Sequence, residues 1–127
     1  MSTSSSPVIS VIMPCFNSSA TIGRSIDSVL AQSFANWELV IVDDGSTDHS
    51  RDVVSAYHDP RIIAHAQTNQ GVCAARNAGL KLARGELIAF LDADDTWDRE
   101  CLEKLYQALS ASAAKLVYCG WQNIGLP

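Results

Sequence analysis

Short apolar runs alternate along this chain with apolar positions at helical spacing. Val8-Ile9-Ser10-Val11-Ile12-Met13 reads as a strand stopped by Pro14, and Ile22, Ile26, Val29 and Leu30 then recur at i, i+4, i+7 and i+8. That spacing predicts a helix over 20–32 with one buried stripe, capped by Ser18 or Ser19. Residues 38–42 form a second apolar run, after which Ser46 and Thr47 are expected to cap a helix reaching Tyr57 and ended by His58-Asp59-Pro60. Residues 62–66 make a weaker third strand. A helix over 72–83, with Val72, Ala75, Gly79 and Leu82 inward, is expected to end at Arg84-Gly85 with the glycine past its last turn. Leu87-Ile88-Ala89-Phe90-Leu91 follows, an unbroken apolar run that predicts a strand buried on both faces in the middle of a parallel sheet. A helix over 99–110 (Leu102, Leu105, Tyr106, Leu109) and a fifth strand, Leu116-Val117-Tyr118-Cys119, complete the pattern.

Regular alternation of strand and helix predicts an α/β fold with a mostly parallel sheet built from right-handed crossovers. If three strands run outward and the fourth returns beside the first, a crevice opens between strands one and four, where such sheets bind ligands. The Ser-rich residues 1–7 are expected to be a disordered tail, and 8–127 a single domain. A hydrophobic share of 47% fits an ordinary soluble domain, and a net charge of −5 argues against nucleic-acid binding. No run is long enough for a membrane span and no signal peptide precedes the domain, so the expected compartment is the cytoplasm. Cys15, Cys73, Cys101 and Cys119 show no metal-ligand spacing and are expected to be reduced, the last three packed as small apolar residues. His49, His58 and His65 read as neither ligands nor bases.

Strand ends carry the chemistry. The fourth strand ends in Asp92-Ala93-Asp94-Asp95 and the second in Asp43-Asp44. Two like charges near 4 Å repel by roughly 4 kcal/mol at an effective dielectric of 20, so such a cluster calls for a cation. Turn and cap chemistry is the alternative, and it suits Asp44 better than the rest. The first loop, Cys15-Phe16-Asn17-Ser18-Ser19, has no glycine and so is not a dinucleotide cradle. Phe16 beside Asp43 instead suits a nucleobase, the ring stacking and the acid accepting from a ring N–H; core packing is the other use of Phe16. An acid pair can hold a diphosphate through a hard divalent cation. Arg76 then serves either a remaining phosphate charge or an ion pair with the acids. Asp95 is divided between supporting the cluster and facing solvent, while Asn77 and Gly79 read as structural.

Pro14-Cys15-Phe16-Asn17, Val42-Asp43-Asp44-Gly45-Ser46-Thr47-Asp48, Asn69-x-Gly71 with Ala75-Arg76-Asn77-x-Gly79, and Phe90-Leu91-Asp92-Ala93-Asp94-Asp95 together resemble the ordered signature of the family 2 glycosyltransferases. The resemblance covers nearly the whole chain after the tail. It implies a three-layer, Rossmann-like GT-A domain that binds a nucleotide sugar, with Asp92-Ala93-Asp94 as the D-x-D motif. By that likeness Pro14, Phe16, Asn17, Asp43, Arg76, Asp92, Ala93 and Asp94 form the nucleotide site. Phe16 would stack on uracil or another base, Asp43 bond its edge, Asp92 reach the ribose, and Asp94 hold Mg²⁺ or Mn²⁺ against the diphosphate. The implied reaction is inverting, metal-dependent transfer of a sugar, from UDP by preference, to a saccharide, lipid or other acceptor hydroxyl. Cell-envelope polysaccharide synthesis and peripheral association with the inner face of the membrane are further implications.

The family's general base comes from a second, acceptor-binding half, and no residue here matches it. Asp98, Glu100 and Glu103 carry nothing in their spacing that marks a base. The chain is expected to stop before that half, at Pro127, either as part of a longer enzyme or as a short product that binds donor without transferring. A phosphoacceptor receiver domain is the remote alternative, at odds with an extra strand before the acid pair.

Overall fold

The computed structural model describes residues 7–111; the expected tail, apart from Pro7, and the fifth strand at 116–119 lie outside the described residues. Strands β1 (Ile9–Cys15), β2 (Trp37–Asp44), β3 (Ile62–Gln67) and β4 (Leu87–Phe90) alternate with helices α1 (Ile22–Leu30), α2 (Ser50–Ser55), α3 (Val72–Leu82) and α4 (Cys101–Ala111). The strands form one parallel sheet in the order β3-β2-β1-β4. The chain therefore steps outward through three strands and returns to the other side of β1. The switch point lies between β1 and β4, as the alternation predicts.

Side chains alternate across each strand, and this sorts the helices into layers. Val11 and Met13 of β1 and Leu39 and Ile41 of β2 pack with Ile22, Ile26 and Val29 of α1, Val54 of α2, and Leu102 and Leu105 of α4. Ile12, Val40 and Val42 face the other way, onto Ala75 of α3. α3 lies close to the sheet because a Cβ at Gly79 would come within 2.5 Å of Ile12 Cγ2. No described helix is long and apolar enough to cross a membrane.

Several expectations need correction. Among the described residues β4 is an edge strand paired only with β1, and Phe90 is 41% exposed; the strands buried throughout are β1 and β2. Only Ala75 and Gly79 of the supposed α3 stripe are buried, whereas Val72 and Leu82 are exposed. Cys73, expected inside, is exposed, and Cys15 and Cys101 are buried. No side chain of Ser18 or Ser19 caps α1, whose N-cap position is Thr21. α2 begins at Ser50, later than a cap at Ser46 or Thr47 implies, because Asp48 Oδ1 accepts the Ser50 N–H at 2.9 Å.

Gly85 is not a left-handed helix cap either, since α3 leaves through an extended Ala83. The glycine serves a close approach: an added Cβ would stand 2.7 Å from Ser10 Oγ and 2.8 Å from Ser10 N. Its N–H donates to Ser10 Oγ at 2.8 Å, and that hydroxyl donates to the buried Glu38 at 2.6 Å. Glu38 also accepts the Arg84 N–H at 2.7 Å and Arg84 Nε at 3.1 Å. Burial by itself pushes this carboxyl up, but the bonds from Ser10 and Arg84 outweigh it and hold Glu38 below its ordinary value. One buried carboxylate thus ties β1, β2 and the turn into β4 together, at the end of the sheet opposite the acids.

Candidate functional site

Beyond β1 the chain turns through Asn17, which has φ +48°, a left-handed conformation that asparagine tolerates better than most residues. Its side-chain carbonyl accepts the Thr47 N–H at 2.8 Å and the Asp48 N–H at 3.3 Å, while its own N–H donates to Ser46 Oγ at 2.9 Å. The Ser18 N–H donates to Ser50 Oγ at 2.7 Å and the Ser19 N–H to Asp48 at 3.1 Å. The loops after β1 and β2 are thereby laced into one surface. The Ser50 hydroxyl holds Asp48 far below the usual carboxylate range, so this lacing includes a fixed negative charge. On that surface Phe16 is 49% exposed.

Asp43 and Asp44 point to opposite faces, as successive strand residues must. Asp43 lies beside Cys15, accepts the Ser46 N–H at 3.0 Å, and keeps its Oδ1 buried without a hydrogen-bond partner. Burial pushes the Cys15 thiol up against the pull of the Ser50 hydroxyl, and the Asp43 charge adds to the rise, which keeps the sulfur neutral. Asp44 accepts Gln67 Nε2 and the Gln70 N–H on Oδ1, each at 2.8 Å. Its Oδ2 accepts the Gly71 N–H at 2.9 Å and Asn69 Nδ2 at 3.1 Å. Burial raises this carboxyl, but the bonds from Gln67, Gln70 and Gly71 prevail and hold it below its ordinary value. Asp44 therefore shapes the entry into α3.

Past β4, Asp92, Asp94 and Asp95 each offer a carboxylate oxygen within 4.8 Å of the others. Burial pushes the Asp95 carboxyl up, and the charges of Asp94 and Asp92 push it further. Arg76 answers part of that charge, Nη2 lying 3.1 Å from Asp92 Oδ1. Of the two uses foreseen for Arg76, this geometry is the ion pair. Clustered hard oxygen donors that repel one another are the chemistry Mg²⁺ and Mn²⁺ require, so these residues fit such an ion. Asp95 belongs with Asp94 in that set.

A cavity of about 540 Å³ lies over this edge of the sheet. Pro14, Phe16, Asn17, Asp92, Ala93 and Asp94, all predicted from the sequence, line it together. Asp43 and Arg76 do not line it; the strand-tip acid that reaches the wall after β2 is Asp44, with Asn69, Gly71, Val72 and Ala75 of the α3 entry. Strand parity separates Asp43 from Asp44, since Asp43 shares a face with Ile41 and the α1 layer, and Asp44 with Val42 and the α3 layer, where its bonds give it the turn role expected from the sequence. Thr21, which sequence reasoning missed, also lines the cavity, and its hydroxyl donates to the Ala93 carbonyl at 3.0 Å.

Comparison with known proteins places the chain in a family. The family model described as Glycosyl transferase family 2 matches residues 10–126. WfgD of Escherichia coli, a UDP-Glc:alpha-D-GlcNAc-diphosphoundecaprenol beta-1,3-glucosyltransferase, is 40% identical over 118 residues, covering 92% of this chain and 47% of that protein. Among solved structures, S. aureus TarS 1-349 in complex with UDP superposes with a TM-score of 0.77 at 31% identity, over 82% of this chain and 32% of that one. The mannosyltransferase PcManGT from Pyrobaculum calidifontis, in complex with GDP-Man and Mn2+, gives a TM-score of 0.76 at 29% identity, over 84% and 33%. The chain spans less than half the length of each of these relatives.

Proposed function

The chain belongs to glycosyl transferase family 2, and from that premise we propose that it binds the donor of an inverting sugar transfer, a nucleoside diphosphate sugar held with a divalent cation. The observation that carries this reading is one cavity lined by an exposed Phe16 and by Asp92 and Asp94, two of the three carboxylates that converge past β4. Phe16 offers its face to the base, and Asp43, whose Oδ1 has no hydrogen-bond partner, is kept as the acid for the base edge, since both Asp44 oxygens are taken by the α3 entry. Asp94 and Asp95, with Asp92 steadied by Arg76, hold Mg²⁺ or Mn²⁺ beside the diphosphate. When bound, the ion supplies Lewis-acid stabilisation of the charge that develops on the departing nucleotide. Relatives named for UDP and GDP-mannose support a nucleotide-sugar donor, with uridine preferred on the evidence of WfgD and TarS. A lipid-linked or saccharide acceptor of the cell envelope follows from WfgD by the same analogy. Family membership sets the phosphoacceptor alternative aside.

Titration calorimetry with UDP in Mn²⁺ and in chelator tests this reading. Binding is expected to weaken strongly in chelator, and Asp94→Asn is expected to lose most of the metal-dependent part. Equal affinity in both conditions would refute the cation's role.

A further inference from the structure

Residues 91–100, which carry the acids, contain no helix or strand, although they must hold mutually repelling carboxylates together. Within this segment a turn bond joins the Asp95 N–H to the Asp92 carbonyl at 3.0 Å. The Leu91 N–H continues the sheet to the Ile12 carbonyl at 3.0 Å and Arg76 pairs with Asp92, while a row of side-chain bonds comes from one side of α1 and the residues flanking that helix. Thr21 Oγ1 donates to the Ala93 carbonyl at 3.0 Å and Ser25 Oγ to the Asp95 carbonyl at 2.5 Å. Ser28 Oγ accepts the Trp97 N–H at 3.2 Å. Gln32 Nε2 donates to the Asp98 carbonyl at 2.6 Å, and its Oε1 accepts the Leu102 N–H at 2.9 Å. Positions 21, 25, 28 and 32 recur at helical spacing, and Ser25 and Gln32 are buried. Every bond in this row goes to main chain, so the ladder fixes the path of the loop whatever side chains the loop carries.

Resting on the donor-and-cation reading above, we propose that Thr21, Ser25, Ser28 and Gln32 are positioning residues that hold the 93–98 main chain so that Asp92, Asp94 and Asp95 converge on one cation. None of the four need touch the ion. Their effect is on how much the loop must reorganise when the ion binds, and so on cation affinity. A purely structural role would instead lower folding stability and leave cation affinity as it was.

The test is the Mn²⁺ concentration that half-saturates UDP binding, measured for the 127-residue chain, Ser25→Ala and Ser28→Ala, with uridine affinity in chelator measured alongside. Half-saturation is expected to rise about 10–100-fold in Ser25→Ala, the usual scale for losing a group that orients metal ligands. Uridine affinity should be unchanged. Ser33→Ala is the control, because the Ser33 hydroxyl bonds the Glu103 side chain and not the acid loop. Unaltered Mn²⁺ dependence in a folded Ser25→Ala chain would overturn the proposal. Amide hydrogen exchange of the parent chain in chelator decides the matter if the variants do not fold. Trp97 lies outside any helix and Leu102 in a first helical turn, where N–H groups lack intrahelical acceptors, so slow exchange at both reports the ladder directly. Exchange at unstructured-loop rates would overturn it. Absence of Mn²⁺ dependence in the parent would defeat the cation reading instead, with the ladder still judged by exchange.

Discussion

Phe16 follows two buried residues, Pro14 and Cys15, yet leaves half of its surface in water. An aromatic side chain in that position forgoes core burial, and its open face is what a base can stack upon. Phe16→Ala should weaken UDP binding by about 1–3 kcal/mol, the range for one base–aromatic stack, and leave inorganic pyrophosphate almost untouched. Isothermal titration with both ligands checks this, and an equal loss for pyrophosphate would remove Phe16 from base recognition. At this scale residue type was legible and direction was not. Phe16, Asp92 and Asp94, singled out as an aromatic ring and acids just past strand ends, do line one cavity. Asp44, read from the sequence as a cap or turn residue, does bond the turn into α3. Extended to Asp44, the period-two rule of strands assigns Asp43 and Asp44 to different layers.

Elements were more legible than their boundaries, and the misses have physical causes. An apolar run reports how much of a strand is covered, not its place in the sheet: Leu87–Phe90 looked central but pairs with β1 alone among the described strands. The start of α2 was misplaced because several hydroxyl and acid residues could cap it, and only geometry shows that Asp48 takes the Ser50 N–H. The Glu38 junction left no periodic signal at all, since a single charged residue at a strand start usually faces water. Its consequence is measurable. The Glu38 carboxyl lies below its unfolded value of 4.5, so its contribution is fully present above that pH and is lost as pH falls through the folded value. Glu38→Gln should cost about 1.5–3 kcal/mol at pH 7, as expected for weakened bonds to a buried charge. Urea midpoints at pH 7 and pH 3 should show the gap between parent and variant narrowing at the lower pH. Asp44, Asp48 and Asp59, also held low, titrate in both chains and do not alter that comparison. A gap of constant width would show that Glu38 acts without its charge.

At the scale of the molecule, the sheet delivers the groups of the proposed donor site to one edge, and the carboxylates that line the cavity there have roles other than a base. Asp44 is occupied by the α3 entry, Asp92 is paired with Arg76, and Asp94 and Asp95 complete the set proposed for the cation. On the α4 side, Asp98 accepts the Glu100 N–H at 3.2 Å, Glu100 pairs with Lys104 at 3.6 Å, and Glu103 accepts the Ser33 hydroxyl at 2.6 Å. None of these last three lines the cavity. Among the described residues the carboxylates lining the cavity are thus Asp44, Asp92 and Asp94, and none of them is assigned as a general base. The 127-residue chain should bind donor and transfer sugar poorly, because a positioned general base is typically worth about 10²–10⁴-fold. Orientation of the acceptor can contribute roughly 7–11 kcal/mol more where a surface exists to hold it. The measurement compares sugar transfer from one UDP-sugar donor to one acceptor preparation by this chain and by a relative of full length such as WfgD, of which the chain matches 47%. Strong UDP binding with transfer at least a hundredfold below the longer protein is the expected result, on the lower end of the general-base range. Comparable turnover would mean that the base lies within these residues, with Asp95, Asp98 and Glu100 the first to substitute.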